Sequence, residues 1–252
     1  MLSVTNISVT NLDNAVRGAR NPMSSWAKSD SKFDDEGKYI IGPNDLKLLY
    51  NLSLSGPSHR KYLRQIFVSM DITAPLYWWK EMDTYKVSTT ANSTSTMHKI
   101  QSFELNESLF STDHILTASK CKSIFRMHHV PHTSGDKEID PKSMFKLYLD
   151  YIEQLRVEYN TYCKTDPTYA KKIWYTLIQM LPSSFNQMRT WTCTYETLYG
   201  MYDTRRGHKL QEWKTFLTVI DELPYAKELI IDPTLKSHQT DNIIASAANN
   251  QK

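Results

Sequence analysis

The 252-residue chain reads as an α+β protein, helix-rich, with a small central antiparallel or mixed sheet. Three observations predict this. Stretches with apolar residues at helical spacing, 142–162 above all, outweigh everything else. Two short alternating runs, 65–73 and 188–193, each lead directly into a helical pattern. Pro43, Gly56-Pro57, Pro75, Pro167, Pro182 and Gly207 then punctuate the chain where one pattern gives way to the next.

Residues 1–38 are polar and weakly periodic, and read as an irregular arm. Pro43 and Asn44 open a helix over 44–55, with Leu46, Leu49, Tyr50 and Leu52 as its apolar face and Gly56-Pro57 as its stop. QIFVSMDIT (65–73) alternates as a strand, and Pro75 begins a helix through PLYWWKEMDTYK. Residues 142–162 form a long amphipathic helix with Met144, Leu147, Tyr148, Tyr151, Ile152 and Leu155 on one face. A second helix runs from Pro167 to Leu181, where Pro182 stops it. MRTWTC (188–193) is a strand, Thr194 has the chemistry of an N-cap, and a helix continues to Gly207. A last helix covers 209–222. The organisation expected is an arm (1–38), one α+β domain (39–236) and a polar tail (237–252).

Composition excludes several functions. Lys+Arg 30 against Asp+Glu 27 leaves +3, too balanced for a protein that grips nucleic acid by charge. The seven glycines never approach the spacing of a dinucleotide fingerprint or a P-loop, so any nucleotide is held by side chains and helix ends. Cys121, Cys163 and Cys193 are odd in number and far apart, indicating neither a disulfide framework nor a zinc site. No apolar run approaches the roughly 20 residues of a membrane span, and no signal peptide is visible at the start. A reduced, cytoplasmic protein is the expectation. His128, His129 and His132 sit in a Pro-interrupted run without the i, i+4 geometry of a helical metal site, and read as a solvated loop.

Two blocks carry a family pattern. The first spans His59 to Lys99: a His, a short helix, a strand, Pro75 and an aromatic helix follow one another in HRKYLRQIFVSMDITAPLYWW. The second, LPSSFNQMRTWTCTYETLYGMYDTRRGHKLQEW (181–213), has Leu181, Pro182, Trp191, Thr192, Leu198, Arg205 and Gln211 in register without a gap. Together they resemble the flavin-dependent thymidylate synthases. That family's R-H-R-x-x-S signature falls on Thr84, Tyr85 and Lys86 with its serine on Thr89; one inserted residue lets Asn92 and Ser95 recover the following N-x-x-S. The family's Asn falls on Thr194, its substrate-activating Arg on Glu196 and its flavin-facing His on Gly200, while its E-x-x-R finds Tyr175 and Ile178. The matched positions are mostly scaffold and the mismatched ones mostly catalytic.

The resemblance implies a homotetramer that uses FAD and methylenetetrahydrofolate to move a one-carbon unit to C5 of a pyrimidine deoxynucleotide. It places flavin near His59, Tyr85, Lys86 and Thr194, and the nucleotide near Thr89, Asn92, Ser95 and Arg205, with Glu196 as the catalytic position. Phosphates call for Arg or Lys forks and helix N-termini; Lys86, Arg189, Arg205 and Arg206 are candidates, and Arg60, Lys61 or Arg64 of a neighbouring chain could add to them. A carboxylate at 196 would repel negative charge developing on uracil but would accept a hydrogen bond from the amino group of cytosine, so dCMP stands beside dUMP as substrate. Each residue also has a structural reading. Glu196 in a first helical turn favours the dipole by itself, Arg205 and Arg206 do the same at the other end, and Trp78-Trp79 suit a core. Loss of R-H-R, the Arg and the His together leaves open a catalytically inactive descendant, a nucleotide sensor or oligomeric interaction module.

Overall fold

The computed structural model describes residues 2–117, 125–127 and 137–236, with backbone alone at 125–127 and 137–138. Cys121, the histidines at 128, 129 and 132, and the 237–252 tail lie outside the described residues. The order of elements is β1 (Ser3–Thr10), α1 (Leu12–Arg20), β2 (Lys32–Phe33), β3 (Tyr39–Ile40), α2 (Pro43–Leu54), β4 (Phe67–Pro75), α3 (Leu76–Met82), β5 (Thr90–Ser93), α4 (Thr96–Lys99), β6 (Phe125–Met127), β7 (Lys137–Ile139), α5 (Pro141–Tyr162), α6 (Pro167–Met180), β8 (Asn186–Thr194), α7 (Tyr195–Arg205) and α8 (Gln211–Asp221). Short 3-10 turns join several of them, and a π-helical turn covers Lys227–Ile231. The small antiparallel sheet has the order β1-β4-β8-β5, so β4 and β8, the two strands read from the sequence, are neighbours at its centre. No described helix is long and apolar enough to cross a membrane.

The chain divides into two compact units where the sequence suggests one domain over 39–236. One contains Thr73–Glu81 and Ser93–Met188; the other contains Leu2–Ile72, Met82–Asn92 and the chain from Arg189 onward. The first unit is organised by the antiparallel pairing of α5 and α6. Asp140 caps α5 by accepting from the Lys142 and Ser143 amides (3.0 and 3.2 Å), and Asp166 caps α6 by accepting from Tyr169 N (3.0 Å), each with Pro at the first helical position. Leu149, Ile152, Leu155, Ile173 and Leu177 join Ile100, Leu105, Phe110 and Phe185 in its core, with Phe145 and Tyr148 packed against them. The α5 face differs from expectation: Met144, Leu147 and Tyr151 do not join this core, and Leu147 and Tyr151 are exposed. The helix carries two apolar stripes, and sequence spacing alone merges them.

The second unit holds the pattern read from β4 and β8. Val68, Met70 and Ile72 are buried, as are Trp191 and Cys193, in strict alternation. Between them the polar face closes its own bonds: Ser69 Oγ and Thr192 Oγ1 are 3.0 Å apart, and Asp71 accepts from Asn6 Nδ2 (2.7 Å) and Thr190 Oγ1 (2.5 Å). The irregular arm expected over 1–38 is instead β1, α1 and the β2–β3 hairpin. β1 is an edge strand with little burial on either face, so no alternation betrays it, and α1 buries little more than Ala15, Val16 and Arg20. Arg20 pairs with Asp45 at the start of α2. Burial alone would raise the Asp45 carboxyl, but the hydroxyls of Ser29 and Ser31 and the Arg20 guanidinium outweigh it and hold it at about 2.

Candidate functional site

The strand-to-helix junction at Thr194 builds the site. Thr194 leaves β8 in extended backbone and caps α7, its Oγ1 accepting from Thr197 N at 3.4 Å. Thr197 in turn donates through Oγ1 to Val87 O (3.3 Å), tying the helix start to the loop 84–88. That loop carries Ser88 in the left-handed region at φ 57°, a conformation that costs a non-glycine residue about 1 kcal/mol or more. Thr89 steadies it by donating to Tyr85 O at 2.6 Å.

Between loop and helix lies a cavity of about 660 Å³, lined among others by Arg64, Tyr85, Lys86, Thr194, Glu196 and Gly200. Tyr85 is its aromatic wall. Its ring meets Trp213 edge-on at 6.1 Å, and its hydroxyl lies 2.9 Å from Thr204 Oγ1. Gly200 lies within α7, where glycine costs about 1 kcal/mol relative to alanine, yet a Cβ there would meet nothing within 4 Å. The absent side chain leaves room in the cavity. Arg64, Lys86 and the positive end of the α7 dipole give this wall an anion-binding character.

Glu196 is not a bare carboxylate. Arg60 Nε donates to both its oxygens, at 2.9 and 3.1 Å, and the Arg60 guanidinium lies 4.1 Å from the centre of the Tyr199 ring. The two side chains are 16% and 19% exposed, so the pair is shielded but not sealed. A carboxylate has about four lone-pair directions, and Arg60 occupies two. The site is a neutral pair that can still accept hydrogen bonds, and the repulsion expected of an isolated Glu196 is cancelled at short range by its own chain.

The structure brings Tyr85, Lys86, Thr194 and Glu196 to one cavity and leaves the other sequence candidates off its wall. His59 is exposed and precedes the turn Arg60–Gln65. Arg205 lies behind Tyr85, donating to its hydroxyl (2.8 Å) with the guanidinium 4.5 Å from the Trp213 ring. Asn92 is exposed on β5, and Ser95 caps α4 by accepting from His98 N. Arg189 is engaged by Asp83 at 2.7 Å. Arg60 and Arg64, read from sequence as cations of a neighbour, belong to the site of their own chain. Thr197 and Thr204 join the lining without a sequence reading that points to them, the T-x-x-T spacing of Thr194 and Thr197 being the available signal for the first, and Gly200 is the position on which the resembling family's flavin-facing His falls. Cys193 is buried and its thiol pushed up by burial, which keeps it out of nucleophilic chemistry. Among the described residues no cluster of His, Cys, Asp and Glu could hold a metal ion.

No protein-family model and no curated protein matches the sequence. Solved structures do match the fold. A crystal structure of thymidylate synthase X from Helicobacter pylori with FAD and dUMP aligns over 93% of this chain and 99% of its own, with a TM-score of 0.59 at 16% identity. The UMP/dUMP methylase PolB from Streptomyces cacaoi, bound with 5-Br dUMP, aligns over 95% of each chain with a TM-score of 0.53 at 14% identity. Aligned over nearly its whole length with these structures, this chain has the fold of the flavin-dependent thymidylate synthases.

Proposed function

We propose that the chain is a flavin-dependent enzyme that transfers a one-carbon unit from methylenetetrahydrofolate to C5 of a pyrimidine deoxynucleotide. The observation that carries this is the meeting of Arg64, Lys86, the α7 N-terminus and the Glu196–Arg60 pair at one cavity, in a fold whose Helicobacter member is crystallised with FAD and dUMP. The residues present fit a flavin nucleotide: two cations and a helix start for phosphate, Tyr85 as an aromatic wall, and the open space at Gly200. Lys86, Thr194 and Tyr85 would hold it, with His59 beside the turn that carries Arg60. A reduced flavin supplies the electrons that turn a transferred methylene into a methyl group. The nucleotide then occupies the Glu196 side, with Thr89 and Arg205 acting through Tyr85, which both of them hold.

Glu196 sets the base in this reading. Held by Arg60, its remaining lone pairs accept from the exocyclic amino group of cytosine, a donor that uracil lacks. The neutral pair removes the penalty against uracil without offering it a donor, so dCMP is preferred and dUMP is tolerated. Isothermal titration decides the point: dUMP binding at least as tightly as dCMP removes Glu196 from base selection. Glu196→Ala with turnover and nucleotide affinity both unchanged removes it from the site altogether. The oligomer in this reading is a homotetramer of the cytoplasm, which light scattering of the purified protein tests for assembly.

A second reading has a specific observation behind it. Glu196 and Arg60 are closed on each other, and Thr194 and Gly200 stand where the resembling family has its Asn and its flavin-facing His. A nucleotide sensor or interaction module without flavin would keep the cavity and lose the reaction. The visible spectrum of the protein during FAD titration separates the two. A stoichiometric, perturbed flavin spectrum supports the enzyme; no flavin bound at saturation overturns it in favour of the module.

A further inference from the structure

Away from this cavity, Asp13, Arg17 and Arg20 stand at i, i+4 and i+7 on one face of α1. With Trp26, Ser29 and Tyr39 they line a second cavity, of about 350 Å³. Arg20 is 4% exposed. Its Nε is spent on Asp45 and its Nη1 on Ser25 O, while Nη2 has no acceptor among the described residues. A buried donor left without a partner costs about 1–3 kcal/mol, so its retention calls for something that satisfies it. Asp13 makes no hydrogen bond or ion pair among the described residues, and its charge is felt at the Tyr39 phenol, which burial raises, Ser31 lowers, and Asp45 and Asp13 raise further. Trp26 is half exposed, and its orientation is set by donation from Nε1 to Asn21 Oδ1 at 2.9 Å.

The charge balance decides what fits. Asp45 is fully buried and already neutralises Arg20, while Asp13 and Arg17 add one charge of each sign to the lining. A phosphate dianion would enter a neutral cavity against two carboxylates. A small zwitterion meets both signs. We infer that this cavity binds a zwitterion with an apolar body, an α-amino acid by chemical class. Its carboxylate engages Arg17 and Arg20, its ammonium engages Asp13, and its body lies against Trp26 and Tyr39.

Isothermal titration of the full chain with L-phenylalanine and L-leucine tests this, alongside phenethylamine, 3-phenylpropionate and inorganic phosphate. The amino acids bind, and removing either charged end weakens binding by about tenfold or more, the worth of one charge-assisted hydrogen bond. Asp13→Asn weakens L-phenylalanine and phenethylamine but not 3-phenylpropionate; Arg17→Gln weakens L-phenylalanine and 3-phenylpropionate but not phenethylamine. Neither side chain is buried, and far-ultraviolet circular dichroism confirms that both variants fold. No binding of either amino acid at millimolar concentration overturns the proposal. So does binding of phosphate or 3-phenylpropionate as tight as that of L-phenylalanine, or the absence of any change in the two variants. FAD titration of the same variants is unaffected, so the result is independent of the reading at Glu196.

Discussion

Two arginine–carboxylate pairs in the second unit differ in one respect that separates scaffold from site. Asp45, paired with Arg20, is fully buried and also accepts from the hydroxyls of Ser29 and Ser31 and the amides of Asp30 and Ser31. Its capacity is filled. Glu196, paired with Arg60, accepts from that one guanidinium among the described residues and stays partly open beside a cavity. The same chemical couple is a saturated joint in one place and an unfilled acceptor in the other. Hydrogen-bond saturation, and not the presence of an ion pair, distinguishes them.

The largest test removes the saturated carboxylate. Asp45→Ala strands a buried guanidinium and the donors around it, and is expected to cost about 3–5 kcal/mol, read as a fall in the urea midpoint. A milder version uses acid. The Asp45 carboxyl lies at about 2 in the folded chain against an ordinary 3.8, so its stabilisation is complete above 3.8 and lost as pH falls toward 2. Unfolding followed between these values should show a loss of about 2 kcal/mol from this group, absent in Asp45→Asn. If Asp45→Ala were as mild as a surface change, the comparison would fail.

Legibility in the sequence follows the same division. The α5, α6 and β8–α7 boundaries are plain in the sequence because apolar spacing, prolines and a threonine cap mark them, and Thr194 takes the cap predicted for it. β1 and α1 were not plain, because an edge strand and a short helix bury too few side chains to leave a period. At the site, the family resemblance points to Tyr85, Lys86, Thr194 and Glu196, which line one cavity, but pairing is a property of three dimensions. Nothing in HRKYLR says that Arg60 reaches Glu196, 136 residues on.

Smaller tests sharpen the open side of the comparison. Glu196→Gln keeps the shape and removes the charge: stability changes by about 1 kcal/mol or less, as for partly exposed pairs, while any preference for dCMP over dUMP falls by about tenfold. Equal nucleotide ratios before and after would make Glu196 another structural partner of Arg60. Gly200→Ala is the smallest and has opposite signs in its two readouts. It raises stability by up to about 1 kcal/mol through helix propensity and weakens FAD by occupying the cavity. A stabilised protein with unchanged FAD affinity would leave the glycine without a ligand to explain it.

The central pairing of β4 with β8 also has a consequence during synthesis. Ser69 and Thr192 face each other across adjacent strands but are separated by 123 residues of chain. At about 5–20 residues per second, the ribosome needs roughly 6–25 s to deliver the partner strand. Throughout that interval Val68, Met70 and Ile72 wait with one hydrogen-bonding edge unpaired, the condition in which nascent strands aggregate.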